Sequence, residues 1–350
     1  MGAAVKIRCI ALLLLLAGLF SLAGGCAVSG DPAPDATTDQ KPPTSFVPSA
    51  EPTVTPTPPA TIQPTDPGVT APAPDPEPGL MEVIIYDVGK ADAILIITEN
   101  HVVMIDTGEN RHSSQIIDDL LGRNIFEIDT LILTHFHKDH AGGAGAIIRA
   151  ITVREVLVPN YGKSSGSYDR LMSALGDSGL ESIVLTEKMS FTLDNVEFNV
   201  YPTLRGYHDF RVNDDDEDDY ENSGLSENDF SLVIDVAHGD NYFLFAGDAI
   251  AGRLEEILAT ESIISRDYDF LKVPHHGRYN RMSDTFIQAI APTYAVITDS
   301  ADDQASDKVL YALIRIGAVI LSTQNGDILC ISDGETLTVL NKSKSPEWSA

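Results

Sequence analysis

LILTHFHKDHAGG, residues Leu131–Gly143, sets three histidines and an aspartate within six positions, directly behind an apolar run. Leu131-Ile132-Leu133 reads as the end of a buried strand. Alternate residues at a strand end point to the same side, so His135 and His137 can grip one metal ion together. Asp139 and His140 lie just past the strand, where the chain turns, and can face a second ion. Gly142 and Gly143 are expected to let the backbone turn tightly into the next helix. A solvated polar loop is the competing reading, and three histidines and an aspartate behind Leu-Ile-Leu argue against it.

Outward from this stretch the chain alternates short β-rich runs with amphipathic segments. MEVIIYDV, DAILIIT and HVVMIDTG read as strands, SSQIIDDLLGR as a helix, IDTLILTH as the strand leading into the cluster, and AGGAGAIIRAI as a helix entered through glycines. VREVLVPN is a strand and SYDRLMSALGDSG a helix. The middle is strand-rich, with ESIVLTE, MSFTLDN, VEFNVYPT and a hairpin in DFSLVIDVAHGDNYFLFAGDA turning at Gly239-Asp240-Asn241. Alternation then returns through RLEEILA, DFLKVPHH, DTFIQAIA, YAVITDS and DKVLYALIRIG, before strands near AVILST, GDILCIS and ETLTVL. Strands followed by helices in both halves predict an α/β, four-layer αββα sandwich: two facing mixed sheets with helices outside.

The N-terminal part is of another kind. Lys6 and Arg8 precede the apolar run Ile10–Phe20, and small residues lead to Cys26, the layout of a secretory signal. Leu22-Ala23-Gly24-Gly25-Cys26 resembles a bacterial lipobox, so residues 1–26 are read as a signal peptide with Cys26 the lipidation site. Residues 27–79 are a Pro/Thr-rich disordered linker; fifteen of the twenty prolines fall there, in a composition that cannot bury a core. Residues 80–350 are the folded domain. The expected location is the outer face of a bacterial cytoplasmic membrane, with a secreted form as the alternative. Only Cys330 remains in the domain, so no internal disulfide is available. The formal net charge of −29 disfavours sequence-independent binding of nucleic acid, which relies on Lys and Arg against phosphates. The run from Asn213 to Asn222 is the densest acidic cluster, read as a solvated loop, with a peripheral calcium site as the sharper alternative.

THFHKDHAGG resembles the signature of the metallo-β-lactamase-fold hydrolases, and further stretches agree in order. YDVGKADAILI is similar to the opening DVGQGDA-type motif of the extracellular hydrolase module of ComEC-type DNA-uptake proteins, and DFLKVPHHGR to the LKVPHHGS segment of that subgroup. The resemblance implies that Asp106, in MIDTGEN, braces the metal loop, and that Asp248 bridges two metals. Asp248 also suits that role by itself: it ends an apolar strand, where a carboxylate needs a partner. Capping the following helix is its other reading. His275 and His276 likewise end a strand; one is expected to coordinate metal and the other to contact substrate or donate a proton, and both are carried.

The candidate metal ligands are therefore His135, His137, Asp139, His140, Asp248, His275 and His276, with Asp106 and Asn228 behind them and Asp139, Asp248 and His276 as the catalytic group. Two divalent ions are implied, zinc by the His/Asp donor set, with manganese or iron as alternatives. Three departures from the resemblance stand out. Glu227-Asn228-Asp229 occupies a place where many relatives carry a histidine, Gln304 stands where the subgroup has one, and Lys90-Ala91 replaces Gln-Gly. The implied function is hydrolysis by a metal-activated water, most readily of a phosphodiester in a small or surface-attached substrate. The rival is a surface-displayed metal-binding or assembly protein of the same fold with weakened catalysis.

Overall fold

The computed structural model describes residues 79–210 and 225–342. The leader, the proline-rich linker, Cys26 and the acidic run 213–222 lie outside the described residues. In the first half the strands are β1 (Met81–Ile85), β2 (Ala93–Ile97), β3 (Val102–Thr107), β4 (Glu127–Ile132), β5 (Thr152–Pro159), β6 (Tyr161–Lys163), β7 (Ser182–Leu185), β8 (Met189–Leu193) and β9 (Val196–Tyr201). The second half adds β10 (His208–Phe210), β11 (Val233–His238), β12 (Asn241–Phe245), β13 (Phe270–Lys272), β14 (Tyr294–Ile297), β15 (Val319–Ser322), β16 (Ile328–Ser332) and β17 (Leu337–Asn341).

Among the described residues these strands form one sheet in the order β17-β16-β1-β2-β3-β4-β5-β7 and a second in the order β15-β14-β13-β12-β11-β9-β8. Each sheet is mixed: β3, β4, β5 and β7 run parallel, as do β12 to β15, while the remaining neighbours are antiparallel. Both faces of each sheet are covered, so the central strands are continuous apolar runs. Val83, Ile85, Ile96, Val103, Ile105 and Ile132 of the first sheet meet Phe198, Val200, Ile234, Val236, Phe243 and Phe245 of the second. On the outside of the first sheet, Ile116, Leu120, Ile147 and Leu171 from three helices cover Ile84, Leu95, Met104 and Leu131. Leu254, Ile257, Phe286 and Ile290 cover Val233, Leu244 and Leu271 on the far side of the second. The four-layer αββα sandwich expected from the sequence is the architecture observed.

Three local readings change. The hairpin turn is Gly239-Asp240 alone, because Asn241 already pairs with His238. Gly239 has φ +57°, and a Cβ there would lie 2.2 Å from the Gly334 carbonyl oxygen, so only glycine fits. Gly142 and Gly143 make no special turn; their φ values are ordinary helical ones, −61° and −83°. Crowding requires both, since a Cβ on Gly142 would stand 2.1 Å from the carbonyl oxygen of Lys138 and one on Gly143 2.4 Å from that of Thr107 on β3. Sequence patterning also misses β6 and β10, a two-stranded parallel pair too short to show periodicity.

A polar clasp joins the two sheets at one end. Asp194, in the turn between β8 and β9, accepts hydrogen bonds from Thr98 Oγ1 (2.7 Å), Asn100 N (2.6 Å) and Asn100 Nδ2 (2.9 Å), and meets His101 Nδ1 at 2.9 Å, all around the β2–β3 turn. The hydrogen bond from Asn100 is the foremost of the contacts that hold its carboxyl below the usual range, against a smaller opposing effect of desolvation. Because the folded-state value is depressed, this contribution is present above the unfolded carboxylate's pKa of about 3.9 and is lost as pH falls below it. Asp194→Ala is expected to cost about 1–3 kcal/mol at neutral pH in denaturant unfolding, with the difference from wild type shrinking toward pH 3. An equal cost at both pH values would mean the clasp does not act through charge.

Candidate metal centre

The parallel strands β3, β4, β12, β13 and β14 deliver their C-terminal ends to one edge of the sandwich, the place where open α/β sheets collect ligands. Asp106 lies at the end of β3, the histidine cluster follows β4, Asp248 follows β12, His275 and His276 follow β13, and Thr298 follows β14. Asp106, His135, His140, Asp248 and His276 are almost completely buried, and His137 and Asp139 nearly so.

Three imidazoles are hydrogen-bonded through one nitrogen and present the other inward, and a fourth faces a carboxylate. His135 Nδ1 lies 3.1 Å from Thr134 Oγ1, and His140 Nδ1 2.7 Å from Asp106 Oδ2. His276 Nδ1 lies 2.9 Å from the Thr298 carbonyl oxygen, which can only accept, so the proton sits on Nδ1 and Nε2 is left as the ligand nitrogen. His137 Nε2 faces Glu227 Oε1 at 3.5 Å. The remaining nitrogens converge: His135 Nε2 and His137 Nδ1 are 3.0 Å apart, and His140 Nε2 and His276 Nε2 are 3.3 Å apart. Asp248 Oδ2 lies 3.2 and 3.1 Å from those last two nitrogens, and Asp139 Oδ2 3.4 Å from His276.

This spacing fits metal. Donors sharing a tetrahedral ion at ~2.0–2.1 Å stand roughly 3.3 Å from one another. Asp139, His140, Asp248 and His276 form one such group, and Asp92, Asp106 and His140 a second grouping behind it. The electrostatics agree. Burial pulls His140 down, but Asp248, Asp106, Asp92 and Asp139 outweigh it and hold the imidazole well above its ordinary value. His276 is likewise lowered by burial and raised more by Asp248 and Asp139, ending at about 9. Burial opposes ionisation of Asp139 and Asp248, yet His140 and His276 keep both carboxyls below the usual range. The carboxylates thus draw positive charge onto the inward nitrogens, and a divalent ion in that position satisfies the same field. His135, lowered by burial and by its neighbours His140 and His137, is neutral and ready to ligate.

Asp106 braces the loop. Its Oδ1 accepts from Thr134 N (2.8 Å) and its Oδ2 from Thr134 Oγ1 (2.7 Å) as well as meeting His140. Asp106 itself adopts φ +56°, a conformation uncommon outside glycine. Asp248 does not cap the following helix, whose N-cap is Ile250 without a side-chain bond. Of the histidine pair, His276 enters the cluster and His275 does not; its ring centre lies 6.4 Å from that of His276, and desolvation lowers its pKa to about 4. His275, His276 and Gly277 have φ of +51°, +51° and +79° in succession, a left-handed run that throws the two rings apart. Asn228, next in the chain to Glu227, is buried, and its Oδ1 has no hydrogen-bond partner, an orphan acceptor that a cation would satisfy. Gln304 is exposed and takes no part.

Two groups escape sequence reading. Lys272 is fully buried and pairs with Asp92 and, at 3.3 Å, with Asp248 Oδ1. One oxygen of Asp248 is thereby tied to the lysine while the other faces the imidazoles. Asp92 also accepts from Thr298 Oγ1 at 2.6 Å, across 206 residues of sequence. A lysine inside the buried run Phe270–Val273 was the available signal, because such a charge must have a partner.

Comparison with known proteins is consistent with this geometry. Residues 86–297 match the family model described as the metallo-beta-lactamase superfamily. The chain is 25% identical over 269 residues to ComE operon protein 3 of Bacillus subtilis, covering 71% of this chain and 32% of the relative. It is 25% identical over 224 residues to Recombination protein 2 of Haemophilus influenzae, covering 62% of this chain and 24% of the relative. The chain therefore spans about a third or less of the length of these relatives. Among solved structures, the metallo-beta-lactamase fold protein YhfI from Bacillus subtilis is similar at a TM-score of 0.48 and 10% identity, covering 73% of this chain and 100% of that one. With the family model spanning more than half of its residues, the chain belongs to the metallo-β-lactamase superfamily.

Proposed function

We propose that the protein is a metal-dependent hydrolase with two divalent ions, acting on a phosphodiester. The observation that supports this most is the meeting of His140, His276, Asp139 and Asp248, whose donor atoms lie within 4.8 Å of one another, with His135 and His137 facing each other through Nε2 and Nδ1. Bound ions would supply an activated water and offset charge developing on the substrate. Asp139 and Asp248 Oδ2 orient that water and accept its hydrogen bond, while Lys272 fixes Asp248 by its other oxygen. His276 is held as a ligand by Thr298, which leaves His275, at the edge of the cluster, to contact the leaving group. The name of the Haemophilus influenzae relative, Recombination protein 2, supports a phosphodiester bond. The strongly acidic chain supports a small or surface-attached substrate over a long nucleic acid.

We also propose that the domain is displayed on the outer membrane face through a lipid on Cys26, with residues 27–79 as spacer. Among the described residues no helix is long and apolar enough to cross a membrane.

Purified protein is expected to bind two zinc ions per chain and to hydrolyse bis(p-nitrophenyl) phosphate. Asp139→Asn and His137→Ala should each lower the rate at least 100-fold while the circular dichroism spectrum stays unchanged. A chain that holds two ions and cleaves no phosphodiester, thioester or lactone would refute the enzymatic reading in favour of a binding role. For the anchor, Cys26→Ser is expected to move the protein from the membrane fraction into the medium, and retention in the membrane would exclude lipidation at that residue.

A further inference from the structure

The small β6–β10 pair, which no sequence pattern announces, lies against the histidine loop. Tyr161 of β6 receives a hydrogen bond from Phe136 N at 2.6 Å and donates to Glu227 Oε2 at 2.8 Å. Phe136 is the residue between His135 and His137, so the phenol holds the backbone that separates these two ligands. Lys163, two residues on, places its Nζ 2.7 Å from Glu227 Oε1, the oxygen that faces His137 Nε2 at 3.5 Å. The four side chains are enclosed: Tyr161 is 4% exposed, His137 and Glu227 are 9% exposed, and the Lys163 side chain is 8% exposed.

The surroundings leave these groups little freedom. The Tyr161 ring packs against Phe136, Phe210 and Phe230 with centroids 4.8, 5.2 and 5.3 Å away. Glu227 opens the 3-10 turn Glu227–Phe230, which is fixed by a reciprocal capping box between Ser226 and Asp229. A buried carboxylate needs compensation, and Lys163 supplies it, while Tyr161 occupies the second oxygen. Glu227 is thereby aimed at the outer nitrogen of His137.

We propose that Glu227, held by Tyr161 and Lys163, is a positioning residue for His137. Its Oε1, 3.5 Å from Nε2, would favour the proton on that nitrogen and keep the Nδ1 lone pair turned toward His135, so that this side network sets the affinity of the site formed by the two histidines. Carboxylate partners of ligating imidazoles fix tautomer and ring orientation and raise ligand basicity in this manner. The inference rests on reading His135 and His137 as ligands of one ion.

The test is a titration of the full chain with zinc alone, in competition with a chromophoric chelator that resolves two stepwise affinities. Glu227→Gln should weaken one site about 10–100-fold and leave the other unchanged. Tyr161→Phe, which removes only a hydroxyl, should weaken the same site in the same direction. Cobalt(II) in that site should show altered visible bands in Glu227→Gln, and unaltered bands in the exposed control Tyr311→Phe. Wild-type affinities at both sites in Glu227→Gln and Tyr161→Phe would overturn the positioning role while leaving the metal reading intact. A wild-type chain that takes up a single zinc would remove the site itself, and the positioning role with it.

Discussion

Four carboxylates, Asp92, Asp106, Asp139 and Asp248, are buried at one edge of this sandwich, where their charge has little solvent to screen it. Isolated, such a group would cost several kcal/mol. Lys272, beneath Asp92 and Asp248, supplies one opposing charge, and the imidazoles of His140 and His276 supply the rest by taking protons or metal. The arrangement is stable only with cations inside it. That requirement ties together features that look separate: the inward nitrogens, the tethered outer ones, and a lysine with no exposure to water at all.

Bringing these groups together costs backbone strain. Asp106, His275 and His276 all adopt positive φ, a conformation worth of order 1–3 kcal/mol each for residues other than glycine. The sandwich can hold them because every one of them follows a strand buried on both faces. His275 N donates to the Gly247 carbonyl oxygen at 3.2 Å, and Lys272 Nζ reaches that same oxygen at 3.1 Å. The turn that carries His276 is thus laced to the turn that carries Asp248. Gly143 plays the matching part on the other sheet, where its missing side chain lets the histidine helix close on Thr107.

The sandwich itself was legible because its strands and helices are long enough to show their periods, and the metal loop because its ligands are neighbours in sequence. Legibility fails where a contact is made only by folding. Asp92 was in view as part of a recognisable motif, but nothing in the chain says that it meets Thr298 and Lys272. Tyr161 and Lys163 lie on a strand of three residues, below the length at which alternation means anything. The glycines behind the histidines are conspicuous in the sequence, but their reason is not, since the crowding of Gly143 against Thr107 is made only by folding. His275 and His276 could not be ranked either, because a left-handed run is a property of tertiary support rather than of two histidines in a row.

These observations bear on how the two halves of the centre differ. His140 meets Asp92 and Asp106 through Nδ1 and Asp248 through Nε2, and His276 Nε2 faces Asp139 and Asp248, so a cation between these two rings would meet a strongly anionic donor set. Among the described residues the carboxylate facing His137 is Glu227, at 3.5 Å, and it is already shared with Lys163 and Tyr161. Next to Glu227 in the chain, Asn228 carries a neutral amide oxygen without a hydrogen-bond partner. A neutral donor set binds a divalent ion less tightly than an anionic one, because less charge is neutralised on loading. On the two-ion reading proposed above, that difference would make the strand-end pair of histidines the softer half of the site, and the glutamate facing His137 would matter more there than beside a fully ligated ion.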